Sequence, residues 1–167
     1  MSANHKLDTD TQVFFYEQDF YVLSNFSAFS IKWITAKRSG AYRFDTSEAV
    51  YHWEKFNNNP THPEESALQR AIRLAPSAHE AFKIAQKYRQ DRRVDWDSLK
   101  VTVMRHILLC KTDQHEYVKK KLLATGDREL IEDSWRDDFW GWGPNRDGQN
   151  MLGKLWMEIR QDLRRTL

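Results

Sequence analysis

The apolar residues of this chain change their spacing at Ser47. Before that point, short runs of strand formers alternate with polar turns: Gln12–Glu17 (Gln-Val-Phe-Phe-Tyr-Glu), Ser30–Ile34 and Tyr42–Phe44. The polar stretch Lys37–Gly40 suits a hairpin connection between the last two. After Ser47 the apolar residues recur every three or four positions, the spacing of one face of a helix. The pattern predicts a helix over Ser47–Asn57, stopped by Asn57-Asn58-Asn59-Pro60, and another over Glu64–Ala75, stopped by Pro76. Ser77 and Glu80 read as a capping box that opens Ala78–Tyr88. Asp95 reads as the cap of a helix with Trp96, Leu99, Val103, Ile107 and Cys110 on one face. Glu116–Ala124 follows, with Gly126 at its C-cap, then a short helix over Asp127–Asp133. Trp135–Gln149 is irregular, and Met151–Arg165 closes the chain with apolar residues at 152, 155, 156, 159 and 163. The expected fold class is α+β, mostly α: a single helical domain over residues 12–167 with a small antiparallel sheet at its N-terminal end. Residues 1–11 read as a mobile polar segment, and Trp156 and Ile159 as core.

Composition narrows the function. The longest apolar runs are four residues, as in Val13–Tyr16 and Ile107–Cys110, far short of the ~20 that cross a bilayer. With 26 basic and 24 acidic residues, the chain lacks the surplus of cations that drives tight non-specific binding to nucleic acid. A single cysteine, Cys110, excludes an internal disulfide and a cysteine-only zinc site. On its apolar helical stripe it reads as a small core residue. Neither His79-Glu80 nor His115-Glu116 has the second histidine of a His-Glu-x-x-His zinc motif. No metal and no cofactor is expected. The polar opening, without a cationic and apolar leader, gives an expected intracellular location, cytoplasmic or nuclear.

Two segments carry residues suited to chemistry. On a helix from Ser47, at about 100° per residue, Glu48, Tyr51, His52 and Lys55 share one face, while Ala49, Trp53 and Phe56 share another. Such a face is either a solvated surface, as most charged faces are, or the edge of a cleft with acid and base groups turned inward. The second segment is Asp137-Asp138-Phe139-Trp140-Gly141-Trp142-Gly143. Its indoles and glycines fit either a loop packed into the core or a site where a base stacks and backbone approaches a ligand. Then comes Gly148-Gln149-Asn150-Met151-Leu152-Gly153-Lys154. Here Asn150 reads as a helix cap, and the free N–H groups behind it would suit a phosphate, with Lys154 one turn inside. Lys119-Lys120-Lys121 reads as a solvated face.

Taken together, these residues resemble the NADAR (YbiA-like) domain. The resemblance rests on Phe15-Tyr16, Leu23-Ser24-Asn25-Phe26, Thr46-Ser47-Glu48, Lys55-Phe56 and Asp95-Trp96 with Lys100 and Met104. It continues through Leu122–Asp127 with Leu130, Asp138 with Trp140-Gly141, and the Gly148–Leu155 segment with Met157, Ile159 and Arg160, so it runs over about residues 14–163. Two segments depart from the family pattern: Ala49–Glu54, where the family usually has a His and a Gln-rich turn, and a longer Thr35–Tyr42. Both bear on substrate preference.

The resemblance implies an N-glycosidase that cleaves a ribose–amine bond. The implied partner is an ADP-ribosylated guanine nucleotide or nucleic acid, or else a phosphorylated ribosylamino-pyrimidine of riboflavin synthesis. It implies Glu48, Lys55 and Asp138 as catalytic groups. Lys55 would attack C1′ to form a Schiff base, Glu48 would shuttle protons, and Asp138 would serve water or a ribose hydroxyl. Asn25, Phe26, His52, Trp96, Trp140, Gly141, Gly148, Asn150 and Lys154 are the implied substrate contacts, with Trp96 and Trp140 as walls for the base. A non-catalytic ADP-ribose or nucleotide-binding module remains an alternative, as does a nucleic-acid-binding domain working through Lys119–Lys121.

Overall fold

The structure, a computed structural model, describes residues 7–16, 19–34, 40–57 and 64–166. Residues 1–6 of the expected mobile segment 1–11, residues 37–39 of the expected turn and residues 58–60 of the expected helix stop lie outside these. The described residues form two compact units, one drawn from residues 7–24 and 116–166 and the other from Asn25–His115. The expected class holds, α+β with helix predominating: six α-helices and four short strands among the described residues.

In the Asn25–His115 unit, β2 (Ile31–Ile34) and β3 (Ala41–Phe44) pair antiparallel in the register Ile31↔Phe44, Lys32↔Arg43, Trp33↔Tyr42 and Ile34↔Ala41. Alternation does the sorting: Ile31, Trp33 and Phe44 are buried, whereas Lys32, Ile34, Ala41 and Arg43 are exposed. The inner face lies on α1 (Ser47–Glu54), with the rings of Tyr42 and Phe44 5.5 and 5.8 Å from that of Trp53. Three further helices surround α1: α2 (Ala67–Arg73), α3 (Ala78–Lys87) and α4 (Trp96–Gln114).

Helix starts follow the chemistry of caps but not always the expected residues. The full capping box belongs to α2, where Ser66 Oγ accepts from the Gln69 N–H and Gln69 Oε1 accepts from the Ser66 N–H. Ser77 does cap α3, but the Glu80 carboxylate turns to Lys83 at 2.8 Å rather than back to the cap. Asp95 makes no side-chain cap on α4, because both of its oxygens are held by the Arg93 guanidinium at 2.6 and 2.9 Å.

In the other unit, β1 (Gln12–Phe15) pairs in parallel with β4 (Glu129–Glu132), from Gln12↔Glu129 to Phe15↔Glu132. This corrects the helix expected over Asp127–Asp133. Leu130, Ile131 and Glu132 are buried in succession, the pattern of a strand covered on both faces. β1 supplies the long-range ladder that outweighs local periodicity. Besides β4, this unit holds α5 (Glu116–Ala124) and α6 (Met151–Arg165). The apolar stripe of α6 faces inward as expected. Trp156 and Ile159 are fully buried, and the Trp156 indole N–H donates to the Leu23 carbonyl at 2.8 Å.

Candidate active site

Thr46 starts α1 by accepting the Ala49 N–H on Oγ1, and the Asn25 carbonyl accepts the Glu48 N–H at 3.1 Å. All eight residues of α1 are buried, on both sides of the helix. The polar side is therefore not a wetted surface. Glu48 is 9 % exposed and His52 2 %, and Glu48 Oε1 lies 2.6 Å from His52 Nε2. Lys55, just past the helix, places Nζ 4.7 Å from the centre of the Tyr51 ring and 6.0 Å from that of Trp96. The Lys55 carbonyl accepts the Arg93 N–H at 2.8 Å, which ties down the backbone that carries the amine.

Burial lowers the pKa of His52 from its ordinary value; Glu48 opposes this and the Lys55 charge adds to it. The imidazole is thus held neutral at neutral pH. With Nε2–H donated to Glu48, Nδ1 is left as a bare acceptor. It has no hydrogen-bond partner among the described residues, and neither do Ser47 Oγ and Asn25 Oδ1. An unpaired buried polar group costs ~1–3 kcal/mol. Ser47 and His52 are on α1, and Asn25 is joined to it through the Glu48 N–H, so unfilled bonding capacity is concentrated on and beside this helix, near a carboxylate and an amine.

Among the expected site residues, Glu48, His52, Lys55 and Asn25 come together here. Asn25 is further anchored by donating from Nδ2 to Met104 Sδ at 3.4 Å. Trp96 belongs to the same unit but lies beneath Tyr51, its ring 5.0 Å away and only 1 % exposed, so Tyr51 rather than Trp96 fronts the amine. Phe26 is 46 % exposed, next to buried Asn25. Two contributors were not singled out in the sequence. Ser47 was hidden by its ordinary place beside a helix cap, and Tyr51 was placed on the right face without a role.

The remaining expected residues, Asp138, Trp140, Gly141, Gly148, Asn150 and Lys154, belong to the other unit. There the Trp/Gly segment folds onto its own backbone. Asp137 Oδ1 accepts the N–H groups of Phe139 and Trp140, and the carbonyls of those two residues accept the N–H groups of Met151 and Leu152. The first donors of α6, expected to be free for a phosphate, are therefore occupied. Asn150 does not cap the helix. It adopts a left-handed conformation at φ 50°, and its carboxamide joins β4 by accepting the Glu132 N–H at 3.0 Å and donating to the Leu130 carbonyl at 2.8 Å. Gly141 and Gly148 are needed where backbones meet: a Cβ on Gly148 would fall 2.7 Å from the Asp138 carbonyl oxygen, and one on Gly141 2.9 Å from that of Glu132. Trp140 is half-buried, edge-on to Phe139 at 4.9 Å, while Asp138 and Lys154 are exposed.

Among the described residues no three His, Cys, Asp or Glu side chains converge to hold a metal ion, and no helix is long and apolar enough to cross a membrane. The NADAR domain profile matches residues 14–164. An N-glycosidase of Nostoc punctiforme is 35 % identical, over 73 % of this chain and 76 % of its own. The N-glycosidase YbiA of Escherichia coli is 33 % identical, over 92 % of this chain and 89 % of its own. The NMR structure of E. coli YbiA superposes with a TM-score of 0.76 at 32 % identity, covering 94 % of this chain and 87 % of that one. A riboflavin biosynthesis protein of Vibrio vulnificus is 37 % identical over 90 % of this chain, which spans 38 % of that protein's length. The enzyme class is that of hydrolases of N-glycosyl bonds, and the chain belongs to the NADAR domain family.

Proposed function

We propose that this enzyme removes ADP-ribose from the exocyclic amine of guanine in nucleic acid, using Glu48 to move protons and Lys55 as the nucleophile. The observation that carries the reading is the buried Glu48–His52 pair with three unpartnered polar atoms around it and an amine close by. The guanine nitrogen pushes its lone pair toward C1′, the C1′–O4′ bond breaks, and O4′ takes the proton that the Lys55 ammonium gives up through the Glu48–His52 pair. The Lys55 amine freed by that transfer adds to the resulting iminium carbon, and the guanine amine leaves with the proton that the Lys55 nitrogen then sheds. Water then adds to the lysine iminium and releases ADP-ribose, restoring Lys55. Asn25 Oδ1 and His52 Nδ1 are acceptors, suited to the hydroxyls of an opened sugar.

The test is mass spectrometry of turnover on an ADP-ribosylated guanine oligonucleotide, with and without borohydride. Release of ADP-ribose, and a reduced sugar adduct on Lys55 that is lost in Lys55→Arg, is the expected result. Turnover without an adduct, at full rate in Lys55→Arg, overturns the covalent step. The riboflavin biosynthesis relatives favour a second substrate, a ribosylamino-pyrimidine phosphate. Turnover of that compound alone would replace the nucleic-acid reading. Ligand binding with no turnover of either substrate would make the chain a binding module.

A further inference from the structure

The outer face of the β2–β3 pair carries a basic groove that no carboxylate among the described residues neutralises. Lys32 and Arg43 stand directly opposite in register, and both are exposed. Both backbone groups of Lys32 turn away from β3: its N–H donates to Gln114 Oε1 at 2.7 Å and its carbonyl accepts from Gln114 Nε2 at 2.9 Å. Lys32 and Arg43 are therefore a non-hydrogen-bonded pair, the kind in which facing side chains come closest. Like charges so placed repel, and neither residue forms an ion pair with a carboxylate among the described residues. With Ser30, Ala41, Gln114 and His115 they line an open groove of about 430 Å³, with no acidic side chain among its described lining residues. His115 is held by the Ser30 carbonyl at 2.5 Å.

The inner face of the same two strands lies on α1, through Phe44, Tyr42 and the Trp33 indole N–H donated to Glu54 at 2.7 Å. The groove is thus on the side of the sheet turned away from α1. Trp53 and Glu54 of α1 meet this sheet, whereas Glu48, His52 and Lys55 are on another side of the helix, so a phosphate in the groove and a sugar at Glu48 belong to well-separated residues of one extended ligand. We propose that the Lys32–Arg43 groove binds the phosphodiester backbone of a nucleic-acid strand whose modified guanine is presented to α1. This rests on the nucleic-acid reading of the substrate. With two principal cations the grip is weak and strongly salt-dependent, consistent with the near-balanced charge of the whole chain.

The test uses the full chain and a short unmodified single-stranded oligonucleotide, read by fluorescence anisotropy from about 50 to 200 mM salt. The double substitutions Lys32→Gln/Arg43→Gln and Lys32→Glu/Arg43→Glu are compared with wild type. The expected result is about tenfold or greater loss of affinity and a salt slope shallower by about 1.4, which is two phosphates at about 0.7 each on a single strand. Hydrolysis of an ADP-ribosylated guanosine mononucleotide, which cannot reach the groove, keeps its rate. Unchanged oligonucleotide affinity and slope in both variants overturn the proposal. So does an equal loss of mononucleotide turnover, which would make the pair structural. Inorganic phosphate, or vesicles of anionic lipid, bound through Lys32 and Arg43 as tightly as the oligonucleotide would also overturn it. If neither substrate is turned over by wild type while the variants still lose the oligonucleotide, the groove stands and the catalytic reading falls.

Discussion

His52 Nε2 lies 2.6 Å from Glu48 Oε1, one turn away along a helix buried on both sides. The carboxylate sets the tautomer of the ring and leaves Nδ1 as its only open atom. A proton accepted at Nδ1 has a short path through the ring to Glu48, so in the proposed reaction the two side chains act as a relay rather than as two separate groups.

Glu48→Gln is expected to keep ligand binding and slow base release by ~10²–10⁴, the usual worth of a positioned acid–base group. His52→Asn, which cannot relay, lowers kcat with little change in KM and removes one limb of the pH–rate profile. Full activity and an unaltered pH profile in His52→Asn would reduce the imidazole to packing.

The depressed pKa of His52 also ties stability to pH. Between its folded value and the ordinary 6.5, the unfolded chain binds the proton that the folded chain refuses. Stability is therefore complete above about 6.5 and is lost as pH falls through the folded value. Urea midpoints of wild type should drop on acidification across this window, and those of His52→Asn should drop less. Parallel curves would contradict the neutral, buried imidazole.

Lys111 gives the same dependence at higher pH. Its amine, fully buried on α4, donates to Ser27 Oγ at 2.8 Å, and burial pushes its pKa from 10.5 down to about 7. Between those values the unfolded chain again holds the extra proton, so stability rises with pH, by up to about 1.4 kcal/mol per unit for a single group. Lys111→Met should flatten this rise between about pH 7 and 10 in urea melts. A variant that rises as steeply as wild type would place the slope on other groups.

The glycines of the Trp/Gly segment and α6 are read here as packing residues, and this too can be measured. A Cβ on Gly153 would run into the Leu130 carbonyl, and one on Gly148 would meet the backbone of Asp138 and Gly141 at 2.7–2.8 Å. Gly148→Ala is expected to cost ~1–3 kcal/mol, and Gly153→Ala more. Unchanged thermal midpoints for both would reopen the ligand-cradle reading of this segment.

What could be read in the sequence was whatever periodicity alone decides. The stripe of α6 predicted the burial of Trp156 and Ile159, and the spacing along α1 put Glu48, His52 and Lys55 on one side. What could not be read depended on partners far along the chain. β4 is a strand because β1, more than a hundred residues earlier, lies beside it. Asn150 looks like a cap locally, yet its amide is claimed by Leu130 and Glu132. Whether the polar side of α1 was wet or enclosed was likewise undecidable, since the residues that enclose it come from α3, α4 and the Asn25 loop.

Gln114 and Asn150 serve their strands in the same way. Each lays a side-chain carboxamide along a strand edge and fills one N–H and one C=O, Gln114 on Lys32 and Asn150 on Glu132 and Leu130. A carboxamide mimics a single peptide and has no next peptide to offer, so the ladder ends where it sits. A protein built on strands only four residues long would otherwise present open edges to other copies of itself. The consequence is colloidal: at Lys32 and at Leu130–Glu132 a stray strand finds the bonding sites already taken, and growth of a shared sheet between molecules has no starting point at those residues.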